Sequence, residues 1–126
     1  MATLTPTLTL TGTAADFGAA LSLSQSDTLQ VGAPFSGVSR ISIATSSQDI
    51  TSDLKTTQTA TTFVYLKNID TSNFVNIYTG DDSSPVLFAQ LNPEEFMFFP
   101  LKGSVGLKAV ANNAPCVLEY AYFTRS

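Results

Sequence analysis

The sequence predicts an all-β chain, an antiparallel β-sandwich or barrel led by an extended N-terminal arm. Three observations carry this. Leucine and threonine alternate in Thr3-Leu4-Thr5-Pro6-Thr7-Leu8-Thr9-Leu10-Thr11, and successive side chains on a strand point to opposite faces. Short apolar runs then recur between clusters of Gly, Pro, Asn, Asp and Ser, the spacing of sandwiches and barrels. No long stretch carries the period of an amphipathic helix.

Residues 3–11 read as the first strand, with an apolar stripe on one face and hydroxyls on the other. They carry no charge and one proline, which suits an edge strand or an arm that lies against another surface. Thr13 to Ala20 reads as a loop or short turn in which Asp16 and Gly18 are the turn formers. The apolar/hydroxyl alternation resumes at Leu21-Ser22-Leu23-Ser24, is punctuated by Asp27, and resumes again at Leu29-Gln30-Val31. Gly32-Ala33-Pro34-Phe35-Ser36-Gly37 reads as a connection. Val38 to Thr45 reads as a strand with Ile41 and Ile43 on one face. Ser46 to Gln58 is polar and weakly patterned, a long loop with a short strand around Ile50.

From Thr61 the pattern tightens. Phe63-Val64-Tyr65-Leu66-Lys67 is apolar on both faces, as in a central strand covered on each side. Asn68 to Asn73 forms a turn, and Phe74-Val75-Asn76-Ile77-Tyr78 the return strand. Gly80 to Pro85 is a second turn, Val86 to Leu91 a strand, and Asn92-Pro93-Glu94-Glu95 a third turn. Phe96-Met97-Phe98-Phe99-Pro100-Leu101 is a dense apolar block that Gly103 ends. Val105, Leu107, Ala109 and Ala111 alternate along the next strand. Asn112-Asn113-Ala114-Pro115 turns the chain into a last strand, Cys116 to Phe123. Of the nine phenylalanines, all but Phe17 and Phe35 lie beyond residue 60. That shift reads as an arm or outer sheet set against a core within one domain, 1–126, because some sixty residues alone make a marginal domain.

The totals exclude several function classes. Charged residues are 13% of the 126 and the net charge is -4, against roughly 25% charged in average globular chains. Direct nucleic-acid binding needs a basic footprint, whereas the six basic residues (Arg40, Lys55, Lys67, Lys102, Lys108, Arg125) are scattered. No apolar run reaches the ~18 residues of a membrane span, and the start of the chain lacks the pattern of a secretory signal. Cys116 is the single cysteine, so no internal disulfide forms, which fits synthesis in a reducing cytoplasm. Its apolar neighbours make it a small buried hydrophobe.

Chemistry finds little footing. Histidine is absent, which removes the commonest general base and metal ligand. A structural zinc site is excluded with one cysteine. Asp81-Asp82, with Asp70, could be offered as a divalent-cation site, but without ligand spacing they read as a solvated loop. Glu94-Glu95 could be offered as a glycosidase pair, but adjacent strand residues face opposite ways and a charged turn accounts for them. Gly103-Ser104-Val105-Gly106 matches no phosphate loop and reads as a bend or bulge. Tyr65, Tyr78, Tyr120 and Tyr122 could stack on sugars or bases. Tyr120 and Tyr122 share one face of the last strand, where aromatic pairs usually pack. No cofactor and no catalytic residue is expected.

Thr62-Phe63-Val64-Tyr65-Leu66-Lys67-Asn68, Leu91-Asn92-Pro93-Glu94-Glu95-Phe96-Met97-Phe98-Phe99-Pro100, Leu118-Glu119-Tyr120-Ala121-Tyr122-Phe123 and the step Gly37-Val38-Ser39-Arg40 together give the chain a family likeness. It resembles small virion structural proteins of tailed bacteriophages, particularly marine and cyanobacterial ones. The resemblance touches most of the chain and does not separate capsid from tail. A low-charge, hydroxyl-rich arm with a compact sandwich favours the capsid, so the expectation is a capsid decoration (cement) protein with a jelly-roll-like sandwich, present at the capsid surface of the virion as a trimer or dimer. The partner would be the major capsid protein, with no membrane and no direct nucleic acid involved. The candidate interface residues are Leu4, Pro6, Leu8 and Leu10 on the arm, with Tyr120 and Tyr122. The alternative is a tail, neck or fibre component that touches host glycans through Tyr120, Tyr122 and the loops around Asn73 and Asp81. A small hydrolase is a third class, disfavoured by the absent catalytic groups.

Overall fold

A computed structural model of the chain describes residues 2–51, 59–79 and 84–126. The described chain is all-β and antiparallel apart from one helical turn. It divides into two compact units, Met1–Val31 and Gly32–Ser126. The boundary thus falls at residue 31/32, well before the compositional shift near residue 60.

The first unit is a long β-hairpin. Its outgoing limb is β1 (Ala2–Leu4) and β2 (Thr7–Gly12), and its return limb is β3 (Leu21–Ser26) and the first residues of β4 (Leu29–Ile43). One register runs the whole length, from Ala2↔Val31 and Leu4↔Leu29 to Thr7↔Ser26 and Gly12↔Leu21. The strand expected over 3–11 is interrupted at Thr5-Pro6, because proline has no N–H for the ladder. The break does not shift the pairing, since Asp27 N–H donates to the Pro6 carbonyl at 3.2 Å. At the tip, α1 (Ala14–Phe17) is a single helical turn closed by Gly18 at φ 75°, a backbone state that favours glycine. The limb read as an extended arm therefore has a partner limb in its own chain.

The second unit holds the rest of β4 with β5 (Gln48–Asp49), β6 (Thr62–Asn68), β7 (Val75–Thr79), β8 (Val86–Leu91), β9 (Phe96–Leu101), β10 (Leu107–Ala111) and β11 (Cys116–Arg125). One sheet has the order β4, β11, β6, β9, and the other β5, β10, β7, β8. Their inner faces share one core. Ile43, Val64, Leu66, Leu101, Cys116 and Leu118 come from the first sheet, and Val75, Ile77, Leu91, Leu107, Ala109 and Ala111 from the second. β6 lies between β11 and β9, the central position that its apolar run predicts, but only its Val64/Leu66 face is covered by the other sheet, while Tyr65 and Lys67 lie on the outer face.

Gly32 to Gly37, expected as a connection, is part of β4. Two facts allow this. Neither glycine adopts a positive φ, so neither takes the left-handed state of a glycine turn. Beyond Val31, β4 is the terminal strand of its sheet, the position in which a sheet tolerates proline. The Pro34 carbonyl accepts a hydrogen bond from Thr124 Oγ1 at 2.8 Å. The short strand expected around Ile50 falls just before it, at Gln48–Asp49, and Ile50 itself is buried. The remainder of that expected loop, 52–58, lies outside the described residues.

Two polar devices hold the turns. The fully buried Asn68 donates through Nδ2 to the carbonyls of Asn73 (2.8 Å) and Leu91 (3.1 Å), and its Oδ1 accepts from Asp70 N–H. Asp70 then accepts the N–H groups of Ser72 and Asn73 through one carboxylate oxygen. Gly103 lies against the Thr59 backbone so closely that a Cβ would run into the Thr59 carbonyl. This is a steric reason for glycine where the sequence signals only a bend.

Replacing Asn68 by Leu leaves two carbonyls and one N–H without their partner. Each buried unpaired group costs about 1–3 kcal/mol, so Asn68→Leu is expected to destabilise the chain by roughly 3 kcal/mol. Urea unfolding of the two proteins measures this. A loss below roughly 1 kcal/mol would mean that water replaces the amide.

Candidate functional site

The hairpin's register sorts its residues by chemistry. On β2 and β3, Leu8 and Leu10 share a face with Gln25, Leu23 and Leu21. Thr7, Thr9 and Thr11 share the other with Ser22, Ser24 and Ser26. One face is mostly apolar and the other is entirely hydroxyl. The ladder continues with Leu4 opposite Leu29 on β1 and β4. Leu8, Leu10, Leu21 and Leu23 remain between 42% and 47% exposed. Neither β2 nor β3 contains a charged residue. Four half-exposed leucines on one uncharged ribbon face make a surface that gains from being covered.

The structure thus brings together Leu8 and Leu10 from the candidate arm, and adds Leu21 and Leu23 across the ladder. Leu4 and Pro6 are half-buried. Tyr120 and Tyr122 are elsewhere. They pair with Leu66 and Val64 across β11 and β6, and so point to the core face. Tyr122 is a core residue, Tyr120 packs against the core, and their rings stack at 6.5 Å. Placed there, they take the packing role and leave the candidate interface. Asn73, named with them in the glycan reading, is half-buried. Asp81 and Asp82 lie outside the described residues.

Further exposed apolar side chains lie on the outer faces and edges of the two sheets. β8 and β9 are the terminal strands of their sheets, and Val86, Leu87, Phe88, Phe96 and Phe98 are 41–65% exposed. The block at 96–101 reads as core because it is apolar at every position. Inward, Met97 and Phe99 do pack against the core. Outward, Phe96 and Phe98 do not. The available signal was Pro100, which marks an edge strand and so an outer face needing cover from elsewhere.

Among the described residues, several ionisable groups are tied into the fold. Glu95 N–H donates to the Asn92 carbonyl at 3.1 Å, and its Oε2 accepts the Asn92 N–H at 2.8 Å. Glu94, at φ 67°, forms the corner of that turn. On the outer face of the first sheet, Glu119 accepts from Tyr65 O–H at 3.0 Å and Arg40 Nε at 3.2 Å. The Tyr65 bond, then the Arg40 bond and charge, hold the Glu119 carboxyl below its usual range, with a smaller contribution from Lys67. Burial and the adjacent Glu119 push the Tyr65 phenol up. Burial likewise raises the Cys116 thiol. Among the described residues no group of three His, Cys, Asp or Glu side chains is placed to hold a metal ion.

No family model, curated protein or solved structure matches this chain.

Two of the carboxylates make stability depend on acid. Hydrogen bonds from the Asn73 and Ser72 backbone hold Asp70 below its usual range, as Tyr65 and Arg40 do for Glu119. A depressed folded-state pKa contributes stability that is full above the unfolded value, about 4. That stability is lost as pH falls through the lowered folded value. Thermal midpoints should therefore drop between roughly pH 5 and pH 2, and the double variant Asp70→Asn/Glu119→Gln should flatten the drop. An unchanged slope in the variant would assign the acid sensitivity to other groups.

Proposed function

We propose that this chain is a structural protein of a tailed-phage virion, a capsid decoration protein that binds and bridges major capsid subunits. It supports the shell against internal pressure without chemistry of its own. The observation that carries this reading is the uncharged leucine face of the N-terminal hairpin, left open to solvent. A ribbon of two strands has no interior in which to hide such a face. In this reading the hairpin is the docking arm. Leu8, Leu10, Leu21 and Leu23 supply apolar contact, and the unpaired outer edges of the ribbon can take a neighbouring strand.

The finer architecture we propose is a jelly roll. The orders β4, β11, β6, β9 and β5, β10, β7, β8 place most consecutive strands in opposite sheets. Eight strands so arranged follow two interlocked Greek keys, an arrangement found in capsid and lectin domains. The family likeness in residues 37–40, 62–68, 91–100 and 118–123 supports the virion assignment. Tyr65–Glu119–Arg40, with each partner accounted for, reads as structural.

The test is cryo-electron microscopy of the particle with a count of copies. Density at the capsid two-fold or three-fold axes and on the order of hundreds of copies support decoration. Presence only in the tail or neck, at about a dozen copies or fewer, overturns it in favour of the tail, neck or fibre alternative. The hairpin's part is tested separately with Leu8→Ser/Leu10→Ser/Leu23→Ser. Burying what remains exposed of each leucine is worth about 1 kcal/mol, so shell affinity should fall on the order of 100-fold. The thermal midpoint of the Gly32–Ser126 unit should not move. Unchanged affinity would remove the leucine face from the contact.

A further inference from the structure

No further inference is drawn: the strongest candidate, the outer face of the first sheet where Phe96 and Phe98 of β9 lie beside Lys67 and Tyr65 of β6, is an exposed apolar patch, and nothing in the structure shows what covers it.

Discussion

A two-stranded ribbon has two faces and nothing behind either of them. This constraint governs the first thirty-one residues. The pleat puts the leucines of β2 and β3 on one side and their threonines and serines on the other, and pairing the limbs satisfies backbone groups without burying a side chain. The hairpin can therefore be well matched in register and still gain little from the hydrophobic effect. Covering the leucine face needs a surface that the ribbon itself does not contain.

The Gly32–Ser126 unit meets the same constraint differently. Its sheets come in a pair, so the inner faces find each other. Val64, Leu66, Ile77, Leu107 and Leu118 become fully buried, as do Asn68, whose amide is hydrogen-bonded on both sides, and Thr51, whose Oγ1 accepts the Leu107 N–H. What the pair cannot cover is its outer faces and its edges. β8 and β9 carry more aromatic surface than one core can take up, and Phe88, Phe96 and Phe98 stay outside. In both units large apolar side chains stay uncovered. A chain with 13% charged residues has few charges with which to guard such surfaces.

Much of the fold was legible from period-two patterning. The all-β class, the central position of β6, the inward line of Leu107, Ala109 and Ala111, and the burial of Cys116 all follow from alternation and turn residues. The leucine stripe was legible too. Its partner limb was not, because nothing in Leu21-Ser22-Leu23 says which strand it pairs with; register depends on the turn at 13–20, which has no standard hairpin signature. Gly32 to Gly37 misled for a related reason. Glycine and proline signal a bend unless the strand lies at an edge with ordinary φ values, and edge position is a property of the sheet. Tyr120 and Tyr122 were correctly placed on one face, but one strand alone does not tell which face is inward. That was settled by their neighbours, Leu66 and Val64, across the ladder.

The central claim is that the leucine face of the hairpin is completed by a partner surface in the particle. Amide hydrogen exchange of the free protein and of the protein on intact particles tests it most directly. The account predicts weak protection of residues 7–12 and 21–26 in the free chain, since a two-stranded ribbon is marginal alone, and strong protection on the particle. The amides of β6 and β11 should be protected in both. Equal protection of the hairpin in the two states would contradict the account, because its leucine face would then owe nothing to a partner.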